Sequence, residues 1–279
     1  LDTCSTNRHF SACRDAFGIL KVEQDGRITE FVEKPQTEDE LDHLKTPETL
    51  MNALGYAGVS NKKHLASMGV YLFRREVLET ILETRKDWVD FGKHVIPESL
   101  KTCYVYAYLF DGFWEDIGTV RSYYNVSMRL VDPDPPFAFF DPERPIYTHP
   151  RYLPGSHITD ASISNSILCE GTRVHRARIE HSIVGIRSII RDDVEILKSI
   201  LMGADYFDRE PLRHTVPLGI GRGTKIERAI IDKNARIGAH VVIRGHPDLP
   251  QKTAETYAIV DGIVVVLKNA VIPDGTRIG

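Results

Sequence analysis

The residues with the clearest capacity for chemistry are Glu33 and Lys34, which stand before Pro35 at the end of a run of β-prone apolar residues. A primary ammonium group binds phosphate through charge-assisted hydrogen bonds, and a neighbouring carboxylate can accept hydrogen bonds from sugar hydroxyls. Pro35 cannot donate to a strand partner, so we expect the strand to end there and to hold Lys34 at the rim of a sheet. This pattern indicates a sugar-phosphate site. The alternative is a solvated lysine in an exposed turn.

A β-hairpin is the element that would position these two side chains. Two apolar, β-prone runs, residues 17–22 and 28–32, flank Gln24-Asp25-Gly26. Asp-Gly between two such runs is a strong short-range signal for a hairpin turn. The sequence therefore predicts a hairpin whose second strand delivers Glu33 and Lys34 at its end.

Two further stretches could complete such a site. Ser67 lies at the start of an apolar run, residues 66–73, that is suited to a buried strand, and taken alone it would simply begin that strand. Glu115 and Asp116 are adjacent carboxylates between a predicted strand at residues 104–110 and a predicted helix, where they could hold a hard cation such as Mg²⁺. The alternative for Asp116 is capping of that helix.

Periodicity predicts the other elements of the first half. Apolar residues at helical spacing predict an amphipathic helix over residues 75–85, lying on the sheet, and another after Thr119. Asp90 is a possible N-cap of a helical stretch that Pro97 should close. The polar, glycine-punctuated stretch 37–60 predicts a loop with at most a short helix.

The hydrophobic pattern changes after a proline-rich stretch. Seven of the fifteen prolines lie between residues 133 and 154, which forbids a helix and predicts an extended linker between domains. Beyond it, aliphatic residues recur every five or six positions, which predicts a parallel β-helix with small or polar residues at its corners. The alternative is a sandwich of ordinary short strands. The recurring residues are Ile158, Ile163, Leu168, Val174, Ile179, Ile189, Val194, Ile200, Ile220, Ile226, Ile231, Ile237 and Val242 or Ile243. The corner residues are Ser164, Asn165, Gly171, Gly185, Asn234 and Gly238.

Five stretches, in this order, resemble the sugar nucleotidyltransferases, and among them the glucose-1-phosphate adenylyltransferase (ADP-glucose pyrophosphorylase) family. They are Phe-Gly-Ile-Leu-Lys-Val with Phe-Val-Glu-Lys-Pro, Ala-Ser-Met-Gly-Val-Tyr, Asp-Phe-Gly-Lys, Trp-Glu-Asp-Ile-Gly-Thr, and Ile-Ile-Asp-Lys-Asn-Ala-Arg-Ile-Gly. The residues that this resemblance implies at the glucose 1-phosphate site are Gly18, Glu33, Lys34 and Ser67. It also implies that Asp116 holds Mg²⁺.

The fold implied by the resemblance is α/β plus β: the C-terminal part of a Rossmann-like nucleotidyltransferase domain, followed by a left-handed parallel β-helix. We expect an atypical leader at residues 1–15, the partial nucleotidyltransferase domain at 16–132, the linker at 133–154 and the β-helix at 155–279. In the family, a Gly-rich nucleotide loop and a metal-binding aspartate lie upstream of the hairpin, and the leader shows neither. We therefore expect the chain to be the C-terminal part of a longer enzyme and to make no ADP-glucose by itself.

The sequence stretch at residues 230–238 in the predicted β-helix resembles the plant and cyanobacterial type of this family. Lys233 and Lys268 match two lysines that in this type belong to the site for an anionic activator, 3-phosphoglycerate. Taken alone, two lysines 35 residues apart are more often solvated surface side chains. The resemblance also implies a homo- or hetero-tetramer.

Composition argues against several classes of partner. The formal net charge of -4 indicates no excess of basic residues of the kind that binds nucleic acid. No apolar run approaches the roughly 20 residues of a membrane helix, and the polar start is not a signal peptide. The four cysteines lack CxxC spacing, so they indicate neither a zinc site nor a disulfide set. We expect a cytoplasmic protein, or a plastid protein if the source is a plant.

The reaction implied by the resemblance is transfer of AMP from ATP to glucose 1-phosphate, which gives ADP-glucose and pyrophosphate for glycogen or starch synthesis. One alternative is a non-catalytic regulatory or assembly chain of the same complex. Another is a nucleotidyltransferase for a different sugar phosphate. A third is a hexapeptide acyltransferase, which would use a histidine such as His175, His181 or His240.

Overall fold

The computed structural model of the protein describes residues 17–53, 64–110, 112–137, 139–209 and 214–279. By its contacts the chain divides into two compact units, Leu1–Glu115 and Asp116–Gly279. The predicted leader at residues 1–15 lies outside the described residues. The domain boundaries expected from the sequence stay predictions.

A three-stranded antiparallel sheet lies in the first unit. Its strands are β1, Gly18–Val22, β2, Ile28–Glu33, and β3, Leu65–Ala66, in the order β2-β1-β3. β1 and β2 pair from Gly18 opposite Glu33 to Val22 opposite Ile28, so the predicted hairpin is confirmed. In its turn, Gly26 has a φ of 86°, which glycine adopts without a steric penalty.

Two short helices follow the hairpin. In α1, Glu38–His43, Thr37 Oγ1 accepts a hydrogen bond from the Glu40 N–H, and Glu40 Oε2 accepts one from the Thr37 N–H, both at 3.2 Å. α2 spans Glu48–Ala53. The prediction for this stretch is a loop with at most one short helix, and the structure exceeds it by one helix. The reciprocal cap satisfies free backbone donors at the start of α1. Residues 54–63 lie outside the described residues.

The apolar run at residues 66–73 does not form the predicted buried strand. Only Leu65–Ala66 pairs with β1. Beyond it the side chains of Val70 and Leu72 are 76% and 102% exposed. The prediction of a long buried strand is wrong because hydrophobicity alone does not supply a pairing partner in the described residues.

Residues 104–110 are extended but form no regular strand. A single bridge joins Tyr106 to Arg27, next to the hairpin turn. The predicted alternation is confirmed, because the three tyrosines are exposed while the residues between them pack against the core. The prediction of a full strand is wrong, because within the part of the chain that the structure describes this segment has a single bridge and no ladder.

Three helical segments complete the first unit: α3, Arg75–Thr84, a π-helix, Phe91–Val95, and α4, Ile96–Ser99. Leu82 on the apolar stripe of α3 is 53% exposed and no residue of α3 is fully buried, so the expected packing of that stripe is only partial. Asp90 caps the π-helix as predicted, with its Oδ1 accepting from the Lys93 N–H at 2.8 Å. Pro97 does not close this stretch. It lies in the first turn of α4, where its missing N–H costs nothing.

The second unit contains α5, Val120–Arg129, and a parallel β-helix. Thr119 caps α5 through the Ser122 N–H at 3.0 Å, as the predicted helix requires. The strands are β4 His157–Thr159, β5 Ser162–Ser164, β6 Ile167–Leu168, β7 Arg173–His175, β8 Ala177–Glu180, β9 Ile183–Val184, β10 Ile189–Ile190, β11 Val194–Leu197, β12 Ile200–Leu201, β13 Gly219–Ile220, β14 Lys225–Glu227, β15 Ala229–Ile231, β16 Arg236–Ile237, β17 Val242–Arg244, β18 Lys252–Thr253, β19 Tyr257–Val260, β20 Ile263–Val266, β21 Val271–Ile272 and β22 Arg277–Ile278.

Three sheets form the faces of the β-helix. The first face is β4-β7-β10-β13-β16-β21, the second is β5-β8-β11-β14-β17-β22, and the third is β6-β9-β12-β15-β20-β19-β18. On the first face Val174 pairs with Ile190, which pairs with Ile220, so equivalent aliphatic residues stack from coil to coil. These columns form a continuous apolar core, in agreement with the predicted β-helix.

Two of the predicted core positions are shifted by one residue, and a third, Ile158 in β4, is 45% exposed and does not enter the core. Ile190, not Ile189, is the fully buried residue of β10. In β12, Leu201 belongs to the main core, whereas Ile200 packs outward against Tyr124 and Met128 of α5. A shift of one residue reverses the face of a strand, so an approximate period of five or six cannot decide between neighbouring aliphatic residues.

The corners use residues with positive φ. Among the predicted corner residues, Asn165, Gly171 and Asn234 have φ values of 42°, 71° and 63°. Gly185 serves a different purpose, because a Cβ atom there would lie 2.5 Å from the backbone of Met202 in the next coil. Ser164 lies within β5 and not at a corner, so that prediction is wrong.

Two excursions leave the β-helix and return to it. One is described over residues 203–209 and 214–218. The other covers residues 246–261 and carries β18 and β19, which extend the third face antiparallel to β20. A Cβ atom on Gly245 would lie 2.6 Å from the Gly262 carbonyl oxygen, so the ends of the second excursion meet. The pairing of Ile237 with Ile272 continues the core column across it.

No helix in the described part of the chain has the length and apolar character needed to span a membrane.

Candidate functional site

Lys34 stands at the end of β2, as the sequence predicts. Its backbone N–H donates to the Phe17 carbonyl oxygen at 3.1 Å, and its own carbonyl oxygen accepts from Gln36 Nε2 at 2.6 Å. Its φ of 51° is left-handed, a conformation that costs a residue with a Cβ atom about 1 kcal/mol. The side chain is exposed and forms no ion pair with the described residues. Its ammonium group is therefore available to an external anion.

Glu33 packs against two glycines. A Cβ atom on Gly18 would lie 2.7 Å from Glu33 Oε2, and one on Gly92 would lie 2.6 Å from the same oxygen. Neither position has room for a larger residue while Glu33 keeps this rotamer. Gly18 was expected at this site, whereas Gly92 was not, although it stands in the Asp-Phe-Gly-Lys string.

Ser67 joins the same end of the sheet. Its backbone N–H donates to the Gly18 carbonyl oxygen at 2.7 Å, directly after β3. Its Oγ accepts from the Gly69 N–H at 3.2 Å and shares a hydrogen bond with the Tyr71 hydroxyl at 3.1 Å. Tyr71 was not identified from the sequence as a partner of Ser67.

Aromatic rings surround this end of the sheet. Tyr71 stacks on Phe91 with ring centroids 6.1 Å apart and an interplanar angle of 15°, and Phe73 packs against both rings. Phe91 precedes Gly92, so this stack joins the segment that holds Ser67 to the segment that contacts Glu33. The structure thus brings Gly18, Glu33, Lys34 and Ser67 to one rim of the sheet.

Asp116 is the first residue of the second unit and is exposed. It does not cap α5, because Thr119 accepts the capping hydrogen bond. The described residues contain no group of three or more His, Cys, Asp or Glu side chains that could hold a metal ion. Mg²⁺ is often bound by one or two carboxylates together with substrate phosphates, so an exposed Asp116 fits a metal that arrives with a nucleotide.

The two lysines of the predicted effector site meet at one carboxylate. Lys233 Nζ lies 2.9 Å from Asp205 Oδ1, and Lys268 Nζ lies 3.3 Å from Asp205 Oδ2. Asn234 Nδ2 also donates to Asp205 Oδ2 at 3.1 Å. These hydrogen bonds, led by that from Lys233, lower the pKa of Asp205 to about 2.

The coil repeat explains why these distant lysines are neighbours. Arg236 pairs with Val271, a separation of 35 residues, and Lys233 and Lys268 have the same separation. They therefore occupy equivalent positions in adjacent coils. Asp205 was missed from the sequence, because it lies in the excursion and no periodicity relates it to either lysine.

The three histidines considered for acyl transfer have structural contacts. His175 Nδ1 forms a short hydrogen bond with Asp192 Oδ1. His181 and His240 have φ values of 48° and 56° and turn corners of the β-helix. His181 also lies 3.6 Å from Asp132. None of these contacts specifically favours acyl transfer.

Comparison with known families agrees with this geometry. Residues 8–132 match the family model of the nucleotidyl transferases, and residues 151–277 match that of the GLGC left-handed parallel β-helix domain. The chain is therefore a nucleotidyl transferase domain followed by a left-handed β-helix, and the predicted fold class is confirmed. This is the architecture of the ADP-glucose pyrophosphorylase-type enzymes, and it supports a sugar-phosphate nucleotidyltransferase with a nucleotide and a sugar phosphate as substrates.

Proposed function

We propose that the protein functions as a glucose-1-phosphate adenylyltransferase, which makes ADP-glucose and pyrophosphate from ATP and glucose 1-phosphate. The observation that carries the proposal is the convergence of Gly18, Glu33, Lys34 and Ser67 on one rim of the sheet. An exposed ammonium suits the phosphate group, and a carboxylate beside it suits the sugar hydroxyls.

The role of these residues is to hold and orient one reactant. In phosphoryl and nucleotidyl transfer the protein mainly positions two anions in line and neutralises their charge. Lys34 would hold the phosphate of glucose 1-phosphate, whose oxygen attacks the α-phosphorus of ATP while pyrophosphate leaves. Glu33 would fix the sugar ring, and Ser67 would donate a hydrogen bond to the phosphate. A Mg²⁺ ion held by Asp116 would neutralise nucleotide phosphate charge.

The binding of glucose 1-phosphate tests this assignment most directly, because it depends on residues of the first unit. We would titrate the 279-residue chain and its Lys34→Ala variant with glucose 1-phosphate by calorimetry. Lys101→Ala is the matched control, since Lys101 is an exposed lysine of the same unit that pairs with Glu98 at 2.7 Å. Binding that is weakened at least ten-fold only by Lys34→Ala supports the proposal. Equal binding by both variants contradicts it.

The identity of the sugar and the base needs a separate measurement. Pyrophosphate release would be followed in a version of the protein that carries a Gly-rich nucleotide loop upstream of the hairpin. The assay would use ATP and glucose 1-phosphate in the presence of Mg²⁺, and then other nucleoside triphosphates and other sugar 1-phosphates. A preference for ATP and glucose 1-phosphate supports the adenylyltransferase. A preference for another pair would identify a different sugar-phosphate nucleotidyltransferase.

A regulatory role is the second candidate function, and the contact of Lys233 and Lys268 with Asp205 favours it. Two ammonium groups on one carboxylate form a cationic site of the kind that binds a small anion with phosphate and carboxylate groups, such as 3-phosphoglycerate. In this role the β-helix would also mediate assembly into a homo- or hetero-tetramer. Sedimentation of the chain with and without 3-phosphoglycerate tests both parts, and an unchanged monomer in both conditions would contradict the assembly role.

A further inference from the structure

The described parts of the first excursion, residues 203–209 and 214–218, lie over the outer side of the first face and are held there by arginines. Arg187 Nη1 donates to the Ala204 carbonyl oxygen at 3.2 Å, and Arg191 Nη1 donates to the Leu218 carbonyl oxygen at 3.1 Å. Arg236 Nη1 donates to the Val216 carbonyl oxygen at 3.2 Å. Cationic side chains are thus concentrated along the described part of this excursion.

Carboxylates of this region are already paired with other cations. Asp208 Oδ2 lies 2.9 Å from Arg236 Nη1, and both side chains are at least 90% buried. Asp192, which follows Arg191 in the chain, pairs with Arg176 at 3.0 Å. The negative charge of Asp208 also favours the charged form of Arg191, whereas the hydrogen bond of Asp208 Oδ2 goes to Arg236 Nη1.

Arg173 adds a further positive charge beside Arg191. It projects from β7, in register with Ile189 of β10, and Arg191 follows two residues later on the same side of the chain. Arg173 is exposed, and its guanidinium makes no ion pair or hydrogen bond with the part of the chain that the structure describes. Burial and the charge of Arg173 both lower the pKa of Arg191.

The guanidinium of Arg191 keeps donors for a ligand. Both of its hydrogen bonds, to Leu218 and Ile220, use Nη1. The edge formed by Nε and Nη2 has no acceptor among the described residues. This edge of a guanidinium matches two oxygens of a phosphate group, and a second arginine beside it adds the charge needed for a dianion.

We propose that Arg173 and Arg191 form a phosphate-binding site on the outer side of the β-helix, at the margin of the 203–218 excursion. The ligand class is a phosphate dianion, either inorganic phosphate or the terminal phosphate of a small metabolite. Bound phosphate relieves the repulsion between the two arginines and so stabilises the excursion. This site lies in the second unit and does not depend on the proposed glucose 1-phosphate site. Lys233 and Lys268 contact the same excursion through Asp205, so the test includes a variant of Lys268.

Phosphate protection of the excursion from trypsin is the local test. Arg209 is exposed and lies in the excursion, so cleavage after it reports on local opening. We would digest the full chain in a chloride buffer with increasing inorganic phosphate, and repeat the series with glucose 1-phosphate and with ATP. Cleavage should slow at least five-fold at saturation. The compound that protects at the lowest concentration distinguishes free phosphate from a phosphorylated metabolite.

Variants test whether the protection from trypsin arises from phosphate bound at Arg173 and Arg191. Arg173→Gln should abolish it and weaken phosphate binding in calorimetry at least ten-fold. Arg178→Gln is the matched control, because Arg178 is exposed on the second face and pairs with Glu180 at 2.6 Å. Protection should persist in Arg178→Gln, in Lys34→Ala and in Lys268→Gln. The proposal is overturned if phosphate gives no protection, if Arg173→Gln retains it, or if Lys268→Gln abolishes it.

Discussion

The carboxylate of Glu33 rests against the backbone of Gly92, so closely that a Cβ atom on Gly92 would lie 2.6 Å from Glu33 Oε2 and 2.9 Å from its Cδ. The two residues come from different elements, since Glu33 ends β2 and Gly92 lies in the π-helix. The position of the Glu33 carboxylate therefore depends on the absence of a side chain at residue 92.

Replacing Gly92 by alanine should displace the Glu33 carboxylate. Crowding of this kind typically costs about 1–3 kcal/mol, and here it is relieved by rotation of Glu33 away from the sugar. We expect Gly92→Ala to weaken glucose 1-phosphate binding about ten-fold, measured by calorimetry. Gly155→Ala is the control, because nothing lies within 4 Å of a Cβ atom at Gly155. Unchanged affinity in Gly92→Ala would show that Glu33 does not contact the sugar.

Replacements at Lys34 should distinguish the contribution of its ammonium group to substrate binding from the cost of its left-handed backbone conformation to stability. Lys34→Ala and Lys34→Gly both remove the ammonium, so in a version of the protein that carries the Gly-rich nucleotide loop both should raise the KM for glucose 1-phosphate far more than the KM for ATP. Only Lys34→Gly also relieves the left-handed conformation, and it should unfold at a higher urea concentration than Lys34→Ala, by about 1 kcal/mol in free energy. Equal changes in the two KM values would refute the role of Lys34 at the sugar phosphate.

Replacing Asp116 by asparagine should affect magnesium use. An amide is a poorer ligand than a carboxylate for a hard cation. In the version that carries the nucleotide loop, Asp116→Asn should therefore lower kcat and raise the Mg²⁺ concentration needed for half-maximal pyrophosphate release about ten-fold or more. The control is Asp141→Asn, since Asp141 pairs with Arg144 at 2.9 Å in the second unit. If Asp116→Asn needs the same Mg²⁺ concentration as the wild type for half-maximal pyrophosphate release, Asp116 is not a ligand of the metal.

The low pKa of Asp205 predicts a stability effect in acid. The pKa of Asp205 is about 2 in the folded protein and near 3.8 in the unfolded chain. Its stabilisation is therefore present above pH 4 and lost as the pH falls from about 4 to 2. Because the carboxylate is 40% exposed, solvent screening limits the effect to at most about 1 kcal/mol. Urea unfolding of wild type and Asp205→Asn should differ at pH 5 and converge near pH 2. A constant difference would contradict the shift.

Asp205 also competes with any external anion for Lys233 and Lys268. Asp205→Asn removes that competing charge, so it should bind 3-phosphoglycerate more tightly than the wild type, by about three- to ten-fold in Kd. Lys268→Gln should bind it more weakly, because it removes one of the two donors. Weaker binding by Asp205→Asn would instead mean that Asp205 orders the lysines for the ligand.

Local signals in the sequence were sufficient for the hairpin and for the β-helix. Asp25-Gly26 defines the turn of the hairpin, and the spacing of aliphatic residues defines the coils. The period did not resolve Ile189 from Ile190, because both side chains are equally apolar and only the pairing register decides which one enters the core.

Features that depend on tertiary contacts could not be predicted in the same way. Gly92 was not assigned a role because its approach to Glu33 involves two segments nearly sixty residues apart. Asp205 was missed because its significance arises only when adjacent coils place Lys233 and Lys268 on either side of it. The predicted strand at residues 66–73 failed for a related reason, since a strand requires a partner as well as apolar residues.

The excursion at residues 246–261 suggests a use for this scaffold in protein engineering. Because its ends meet at Gly245 and Gly262 while the core column passes from Ile237 to Ile272, the coil does not need the excursion's own length to keep its register. A foreign peptide whose ends can lie equally close could replace it as a cassette. The same junction would accept a reporter or a binding loop on the third face, provided that the insert also covers the part of the core that Ile259 covers in the present excursion.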